Sequence, residues 1–348
     1  MNPPRPQASF YPLQPLVSIK LLQAKLFYLS QPQSYPEPTA QVKVIETHMS
    51  WVFLTDDHAY KLKKPVATEW VDFTTVSGRK ANAERELQLN RRLAPNVYLG
   101  LIPLTQDTIG HFRLDGEGEI VDWLVKMRRL PGPRMLDYAI RHGTVTAQDI
   151  DQLGHHLARF YHAAQPLEMA ANAYRERLSK SVVHNLRLLN RHDFGLHPAY
   201  FRGIHHRLLD QLDAYPALFA GRASERRIVE GHGDLRPEHV CLTTPPAIFD
   251  CLEFKRDLRV LDAVDELAYL DLECERLGEH RIGPRLLTIY REKTGDRPPN
   301  RLIRFYKAYR ACIRARLAAF HLLDVSAQEH KKWRDRTSVY LELANRYA

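Results

Sequence analysis

His232-Gly233-Asp234-Leu235-Arg236-Pro237-Glu238-His239-Val240-Cys241-Leu242, then Thr243-Thr244-Pro245-Pro246, then Ala247-Ile248-Phe249-Asp250, is the stretch on which the reading of this chain turns. Two short apolar runs flank a proline turn, which predicts a β-hairpin. A chain that runs out along one strand and back along the next returns Asp250 to the end where Asp234 and His239 sit. Two carboxylates sixteen positions apart in sequence are thereby expected at one mouth of a cleft. That arrangement suits phosphoryl transfer, in which one carboxylate orients or accepts the proton of a substrate hydroxyl and another holds the metal that bridges ATP phosphates.

Outward from this stretch the chain changes character once. Upstream, the runs 41–46, 51–55 and 58–63 are β-prone and separated by polar turns. A helix is expected over 77–94, stopped by Pro95, and further strands over 101–104, 111–114 and 119–127. The last of these alternates, with Val121, Trp123, Val125 and Met127 on one face. Beyond Leu130-Pro131-Gly132-Pro133 the pattern turns helical. A helix in 144–164 has its cap at Thr146 with Asp149 three positions on, and helical periodicity then runs to the C-terminus except for a β island from Ile228 to about Phe254. The expected organisation is an N-terminal extension with one helix (1–40), a small β lobe (41–130) and a large, mainly α lobe (131–348). No repeat of 20 to 50 residues is present.

His232-Gly233-Asp234 followed by Phe249-Asp250 resembles the catalytic core of the aminoglycoside phosphotransferase family, a branch of the protein-kinase-like fold. A subgroup of uncharacterised phosphotransferase-like proteins also shows Glu46-Thr47-His48-Met49-Ser50-Trp51, Ala59-Tyr60-Lys61-Leu62-Lys63-Lys64-Pro65, Leu89-Asn90-Arg91-Arg92-Leu93-Ala94-Pro95 and Met127-Arg128-Arg129-Leu130-Pro131. The resemblance spans about residues 18 to 325. Some members of that subgroup continue into a P-loop ATPase half, whose G-x-x-x-x-G-K-[ST] signature does not occur in this sequence.

The resemblance implies an α+β, protein-kinase-like two-lobed fold and a set of roles. Asp234 is the implied catalytic carboxylate, Asp250 the principal magnesium ligand, and His232 a residue that orients the loop. Lys61 is the implied ATP-binding lysine, with Lys63 as the alternative. The partner of that lysine is expected to be Glu86, which shares an apolar helix stripe with Leu89 and Leu93, whereas Glu84 falls off it. A carboxylate on a buried stripe requires a cation. Backbone groups of the 127–130 hinge, at Met127, Arg129 and Leu130, are expected to meet adenine. Two departures stand out. No glycine-rich phosphate loop is present, so the 47–50 turn would cradle phosphate with its amides and the Thr47 or Ser50 hydroxyl. And His239 stands where the H-x-D-x-x-x-x-N pattern has Asn, so an imidazole that favours softer ions such as manganese joins the candidate metal ligands.

Composition sets the remaining bounds. The 348 residues carry a formal net charge of +9, which favours anionic partners and disfavours polycationic substrates such as aminoglycosides. No apolar run approaches the roughly 18 residues that a membrane span needs, and the proline-broken N-terminus lacks a signal-peptide core, so the cytoplasm is the expected location. Cys241, Cys251, Cys274 and Cys312 form no C-x-x-C pair and are expected to be reduced.

Plainer readings stand beside these. His155, His156 and His162 are expected to be solvated or packing residues, and Lys63 and Lys64 surface lysines. Glu253 is expected near the metal or in a cap or ion pair, and Asp262 and Glu266 in capping and loop support. Asp271, Glu273, Glu275 and Glu279 form an acidic stretch, read either as acceptor-side or as a solvated helix face. Arg304, Lys307, Arg310 and Arg314 share a face that either pairs with those acids or meets nucleic acid. The expectation is therefore an ATP- and Mg²⁺-dependent (or Mn²⁺-dependent) kinase of a small hydroxylated molecule. A nucleotide-binding pseudoenzyme is the alternative, and a basic nucleic-acid-binding protein a more distant one.

Overall fold

A computed structural model describes residues 16–67, 71–191, 194–323, 325–326 and 328–348. Residues 1–15 of the N-terminal extension lie outside the described residues. The chain divides into two compact units, one comprising the residues up to Gly132 with Ala247–Lys255, the other Pro133–Pro246 with Arg256–Ala348.

The first unit is an antiparallel sheet with two helices. Its elements are α1 (Leu16–Leu29), β1 (Lys43–Glu46), β2 (Ser50–Leu54), β3 (His58–Lys63), α2 (Val76–Asn90), β4 (Tyr98–Gln106), β5 (Phe112–Leu114) and β6 (Glu119–Arg128). Six strands run in the order β1-β2-β3-β6-β4-β5 among the described residues. The alternation of β3 decides how the sheet is used. Tyr60 and Leu62 face one side, where they pack with Phe53, Leu104, Leu124 and, from outside the sheet, Leu29 and Tyr35. Lys61 and Lys63 face the other side, toward Glu86 of α2.

Two expectations change here. The alternation across β6 breaks because a register shift pairs Leu104 with Asp122 and Thr105 with Ile120, leaving Val121 as a bulge. Val121 consequently joins the Leu124 cluster instead of sharing a face with Val125. Leu124 and Val125 are both fully buried, because the sheet is covered on both sides. The helix expected to reach Ala94 ends at Asn90. The amides of Arg92 and Leu93 close tighter turns onto Leu89 and Asn90, a narrowing that Pro95 enforces from beyond the end.

The sheet unit is cross-tied by Asp122, which is 3 % exposed. Its carboxylate accepts from Lys25 Nζ of α1 at 3.0 Å and from Arg79 Nε and Nη2 of α2 at 2.7 and 2.9 Å.

The second unit is mainly helical. It contains α3 (Leu136–Arg141), α4 (Ala147–Ala163), α5 (Ala171–Arg191), α6 (Pro198–Ala214), α7 (Pro216–Ser224), β7 (Ile228–Glu230) and β8 (Val240–Cys241). After β9 (Ala247–Ile248), which belongs to the sheet unit, it resumes with β10 (Val260–Asp262), α8 (Ala263–Arg276), α9 (Ile282–Thr294), α10 (Asn300–Phe320) and α11 (His330–Tyr347). Strand β10 lies in a region expected to be helical. It is three residues long, too short to show a period, and is held by antiparallel pairing with β7. At α4, Thr146 and Asp149 form a reciprocal capping box.

Helix α8 is buried from Ala263 through Cys274 although it carries four acids there. That corrects the reading of 271–279 as a solvated face: Asp271 and Glu273 are 3 % and 0 % exposed. Lys307 of α10 pairs with Asp271 and Glu275, each at 2.5 Å, and Arg310 with Asp265 at 2.7 Å. Lys307 and Arg310 of the basic 304–314 face are therefore spent on acids, as the pairing reading of that face expects. Burying charge demands such pairing. At the start of α8, Asp262 accepts from Val264 N at 3.0 Å and from Arg222, which also bridges to Asp296.

The four cysteines are free and buried, more deeply than strand residues at a sheet surface would be. Among the described residues no helix is long and apolar enough to cross a membrane.

Candidate functional site

In the sheet unit, β3 and α2 bring five charged groups together. Lys61 Nζ donates to Glu86 Oε1 and to Asp250 Oδ1, each at 2.8 Å. Lys63 pairs with the other oxygen of Glu86 and donates to Glu253 Oε1 at 2.5 Å. Lys63 is thus no surface lysine but 1 % exposed, and Lys64, expected at the surface too, is 7 % exposed and pairs with Glu46 at 2.6 Å. Glu86 is fully buried, whereas the Asp250 side chain is 43 % exposed. Burial opposes the charge on Lys61, but Asp250, Glu86 and Glu253 outweigh it and hold the ammonium protonated well above its ordinary range. Burial likewise opposes ionisation of Glu86, and the two lysines overcome it. Glu253 goes the other way: its burial, with Glu86 and Asp250 nearby, raises its pKa despite Lys63.

The backbone aims Asp250 at this cluster. Its φ is +61°, a left-handed conformation that Asp tolerates better than most residues. Asn90, at the end of α2, accepts from Cys251 N at 2.9 Å through its side-chain oxygen, and the Asp250 amide lies 3.3 Å from the buried Tyr98 hydroxyl. A non-glycine residue held in this region stores local strain of about 1 kcal/mol or more, which flanking contacts of this kind sustain.

Ser50, opposite Lys63 in the β2–β3 register, is 1 % exposed, and among the described residues its hydroxyl has no hydrogen-bond partner. Thr47 is committed to the turn, donating to Ser50 O at 2.9 Å and accepting from Ser50 N at 3.0 Å. Of the expected hinge residues, Met127 lies inside the ladder, in register with Ala59 and Tyr98. The amides of Arg128 and Arg129 donate to Val97 O and Asp57 O, each at 2.8 Å. The Arg129 amide is thus engaged, which leaves its carbonyl as the backbone group for the expected hinge contact, and Leu130 is the first residue beyond these bonds.

In the helical unit, Asp234 sits in a loop closed by its own side chains. Tyr269 donates to Asp234 Oδ1 and Arg236 Nε to Oδ2, both at 3.0 Å. His239 Nδ1 lies 2.9 Å from Asp234 O, and its Nε2 is 3.0 Å from Arg236 Nη2. The guanidinium can only donate, so Nε2 is the acceptor and Nδ1 carries the proton. Both ring nitrogens thus have partners within the loop, which ties the imidazole to the turn that carries Asp234. Burial works against ionising Asp234, but Arg236, His239, Arg314 and His232 outweigh it and hold its carboxyl well below the usual range.

Beneath the loop, Glu266 accepts from His232 N at 3.0 and 2.9 Å, from Gly233 N, and from Tyr161 Oη at 2.8 Å. His232 is fully buried, and its Nδ1 lies 3.3 Å from Asp234 N, a position that shapes the turn. Gly233 has φ +92°, and a Cβ on Gly231 would stand 2.2 Å from Glu266 Oε2. The loop thus needs glycine at both positions, one for conformation and one for space. Replacing Glu266 by Gln turns an acceptor toward two amides into a mixed group. On the role that the resemblance implies for Asp234, turnover is expected to fall by roughly 10-fold or more, with KM for nucleotide little changed, since support of the Asp234 loop is what the substitution removes. Steady-state kinetics on the variant checks this, and an unchanged kcat would reject the support role.

No protein-family model matches the chain. Uncharacterized proteins of Mycobacterium tuberculosis and Mycobacterium bovis are 35% identical to it over 286 residues, covering 79% of this chain and 54% of theirs. The chain spans about half the length of the curated relatives it matches. Among solved structures, the GDP complex of aminoglycoside 2'-phosphotransferase-IIIa aligns over 95% of this chain and 97% of its own, with a TM-score of 0.55 and 14% identity. A choline/ethanolamine kinase family protein from Mesorhizobium loti aligns over 93% and 96%, with a TM-score of 0.55 and 14% identity. The complex of LicA with AMP aligns over 94% and 98%, with a TM-score of 0.53 and 14% identity.

This chain has the aminoglycoside phosphotransferase fold.

Several residues that shape these clusters carry little signal in the sequence. Asn90 appears there only as part of a helix end, and Tyr98 falls outside the strand expected over 101–104, which in fact begins at Tyr98. Tyr269 and Arg236, which hold the two oxygens of Asp234, gave no signal beyond residue type. His155 and His162 are exposed, and no group of three or more His, Cys, Asp or Glu suited to a metal occurs among the described residues.

Proposed function

We propose that this chain is an ATP-dependent, metal-assisted phosphotransferase acting on a hydroxyl of a small molecule. The observation that carries the reading is Lys61 held between buried Glu86 and half-exposed Asp250 at 2.8 Å each. A lysine fixed in this way presents a permanent cation to phosphate oxygens, and a half-exposed carboxylate beside it is placed for an ion that arrives with the nucleotide. Magnesium is usually bound through one or two carboxylates plus substrate phosphates and water, so a ready-made cage is not needed. Asp250, half-exposed beside Lys61, would be the protein ligand of such an ion. When bound, the ion neutralises charge on the transferring phosphoryl group.

Asp234 orients the acceptor. Each carboxylate oxygen has two lone-pair directions, so one remains on each beside the bonds from Tyr269 and Arg236. A carboxyl held this acidic is a poor base in the ground state. It positions the hydroxyl and takes the proton late, as a loose transition state allows. The acceptor oxygen bonds to the γ-phosphorus, the bond from that phosphorus to the bridging oxygen breaks, the proton passes to Asp234, and ADP leaves. His239 and His232 hold the loop, Ser50 offers a hydroxyl near the 47–50 turn, and Leu130 offers its backbone to adenine.

The test is transfer of labelled phosphate from ATP, with Mg²⁺ or Mn²⁺, into a pool of hydroxylated metabolites. Product formation that disappears in Asp234→Ala supports the reading, and turnover surviving that substitution rejects the mechanism. A nucleotide-binding protein without turnover is the second reading, favoured by His239 in place of Asn and by its engagement with Arg236. Saturable ATP binding with no product in any pool would select it.

A further inference from the structure

We infer that the acceptor is an anion, a hydroxyl compound bearing a carboxylate or phosphate group, and that Arg314 holds this group beside Asp234. The inference rests on the phosphotransfer reading and names its acceptor class.

The charges around Asp234 in the helical unit are unevenly satisfied. Arg236 is fully engaged by Asp234, His239 and, at 3.6 Å, Glu238. Arg276 takes Glu273 at 2.8 Å and Glu238 at 3.3 Å. Glu273 is spent as well, since the Tyr340 hydroxyl lies 2.8 and 3.0 Å from its two oxygens. Arg314 gets what remains: its Nε is 3.4 Å from Tyr340 Oη and 3.6 Å from Glu273 Oε1. Among the described residues, its two terminal nitrogens have no hydrogen-bond acceptor.

That leftover is chemically specific. The Arg314 side chain is only 15 % exposed, so most of its hydration is gone, and the ring of Tyr340 lies 5.5 Å from its guanidinium carbon. A nearly buried guanidinium with an open fork is made for a planar or tetrahedral oxyanion held by two parallel bonds. It lies close enough to Asp234 to help hold that carboxyl ionised. A cationic acceptor would find the opposite. Glu273 is taken by Arg276 and Tyr340, and Glu238 stands between Arg236 and Arg276, so it would meet the guanidinium groups of Arg236 and Arg314 beside every carboxylate it could approach.

In the resulting step the acceptor's oxyanion stays on Arg314 unchanged. Its hydroxyl oxygen bonds to the γ-phosphorus of ATP, the bridging bond breaks, the proton goes to Asp234, and ADP departs.

Three acceptor pools offered to the full chain with ATP and Mg²⁺ test this: hydroxycarboxylates and sugar monophosphates, assayed separately; neutral polyols and sugars; and hydroxylated amines. ADP release is expected from an anionic pool alone, and the arm that responds distinguishes carboxylate from phosphate. Arg314→Gln is expected to raise KM for that acceptor about ten-fold or more, the worth of one charge-assisted pair, with KM for ATP unchanged and partial recovery in Arg314→Lys. Turnover confined to neutral or amine pools, or an acceptor KM indifferent to Arg314→Gln, overturns the inference.

If no pool turns over, the phosphotransfer reading fails and calorimetric titration with inorganic phosphate decides the anion site. The site stands if the wild type and Lys61→Gln bind phosphate and Arg314→Gln binds at least about ten-fold more weakly. It falls if the wild type does not bind, or if Arg314→Gln binds equally. Should Arg314→Gln melt early, the folded Arg314→Lys variant carries the same comparison, with intermediate binding expected and wild-type binding overturning the site.

Discussion

Asp234→Asn is expected to lower kcat by roughly 10³-fold while leaving ATP binding in place. The substitution is nearly isosteric. Its amide oxygen still accepts from Arg236, and its amide nitrogen can donate to the Tyr269 hydroxyl, so the loop closed by His239 persists. What disappears is the anion that orients the acceptor and takes its proton. The same variant has a stability signature. Because folding holds the Asp234 carboxyl below its ordinary value, its contribution is fully present above about pH 4 and is lost as pH falls toward the folded-state value. The acid side of the stability profile is therefore flatter in the Asn variant. Stopped-assay kinetics, nucleotide titration and melts between pH 3 and 7 are the measurements, and a kcat within ten-fold of wild type excludes the assigned role.

Glu86→Gln is expected to cost about 3–5 kcal/mol of stability, the range for breaking a buried ion pair by removing one partner. Glu86 is fully buried and answers both Lys61 and Lys63. Without its charge, Lys63 keeps only Glu253, and Lys61 keeps only the half-exposed Asp250. KM for ATP should rise by an order of magnitude or more as Lys61 loses its fixed position. Glu84→Gln is the matched control on the same helix. Its side chain is 56 % exposed and 3.6 Å from Lys80, a surface pair worth at most a few tenths of a kcal/mol. Urea unfolding of both variants separates them, and equal losses would show that the buried network is not what holds α2 to the sheet.

Much of the fold was legible because it depends on short-range pattern. The β-prone run 58–63 carries Lys61 on a strand, and the stripe of Glu86, Leu89 and Leu93 puts the right glutamate inward. Thr146 and Asp149 announced the start of α4 in two residues. What was hidden depends on partners far along the chain or on single backbone angles. The acids of α8 look solvated until Tyr340, 67 positions beyond Glu273, and Lys307, 32 positions beyond Glu275, are seen against them. The bulge at Val121 leaves no mark in composition, nor does the left-handed turn at Asp250. His239 is visible in the sequence, but its contact with Arg236 is not. The open fork of Arg314 depends on Arg276 and Tyr340 taking Glu273, partners 38 and 26 positions away from Arg314.

The helix that precedes the sheet is built into the same unit as the sheet. Leu29 and Tyr35 are part of the same apolar cluster as Tyr60, Leu62 and Leu124, and Lys25 shares Asp122 with Arg79 of α2. A version of the protein shortened to its first strand would lay bare the back of that sheet and leave Asp122 with one cation where it has two. Such a fragment would be sticky and loosely tied at α2, the very helix that carries Glu86. The segment before residue 40 is thus the keel of the sheet unit, and the integrity of Lys61's surroundings is inherited from it.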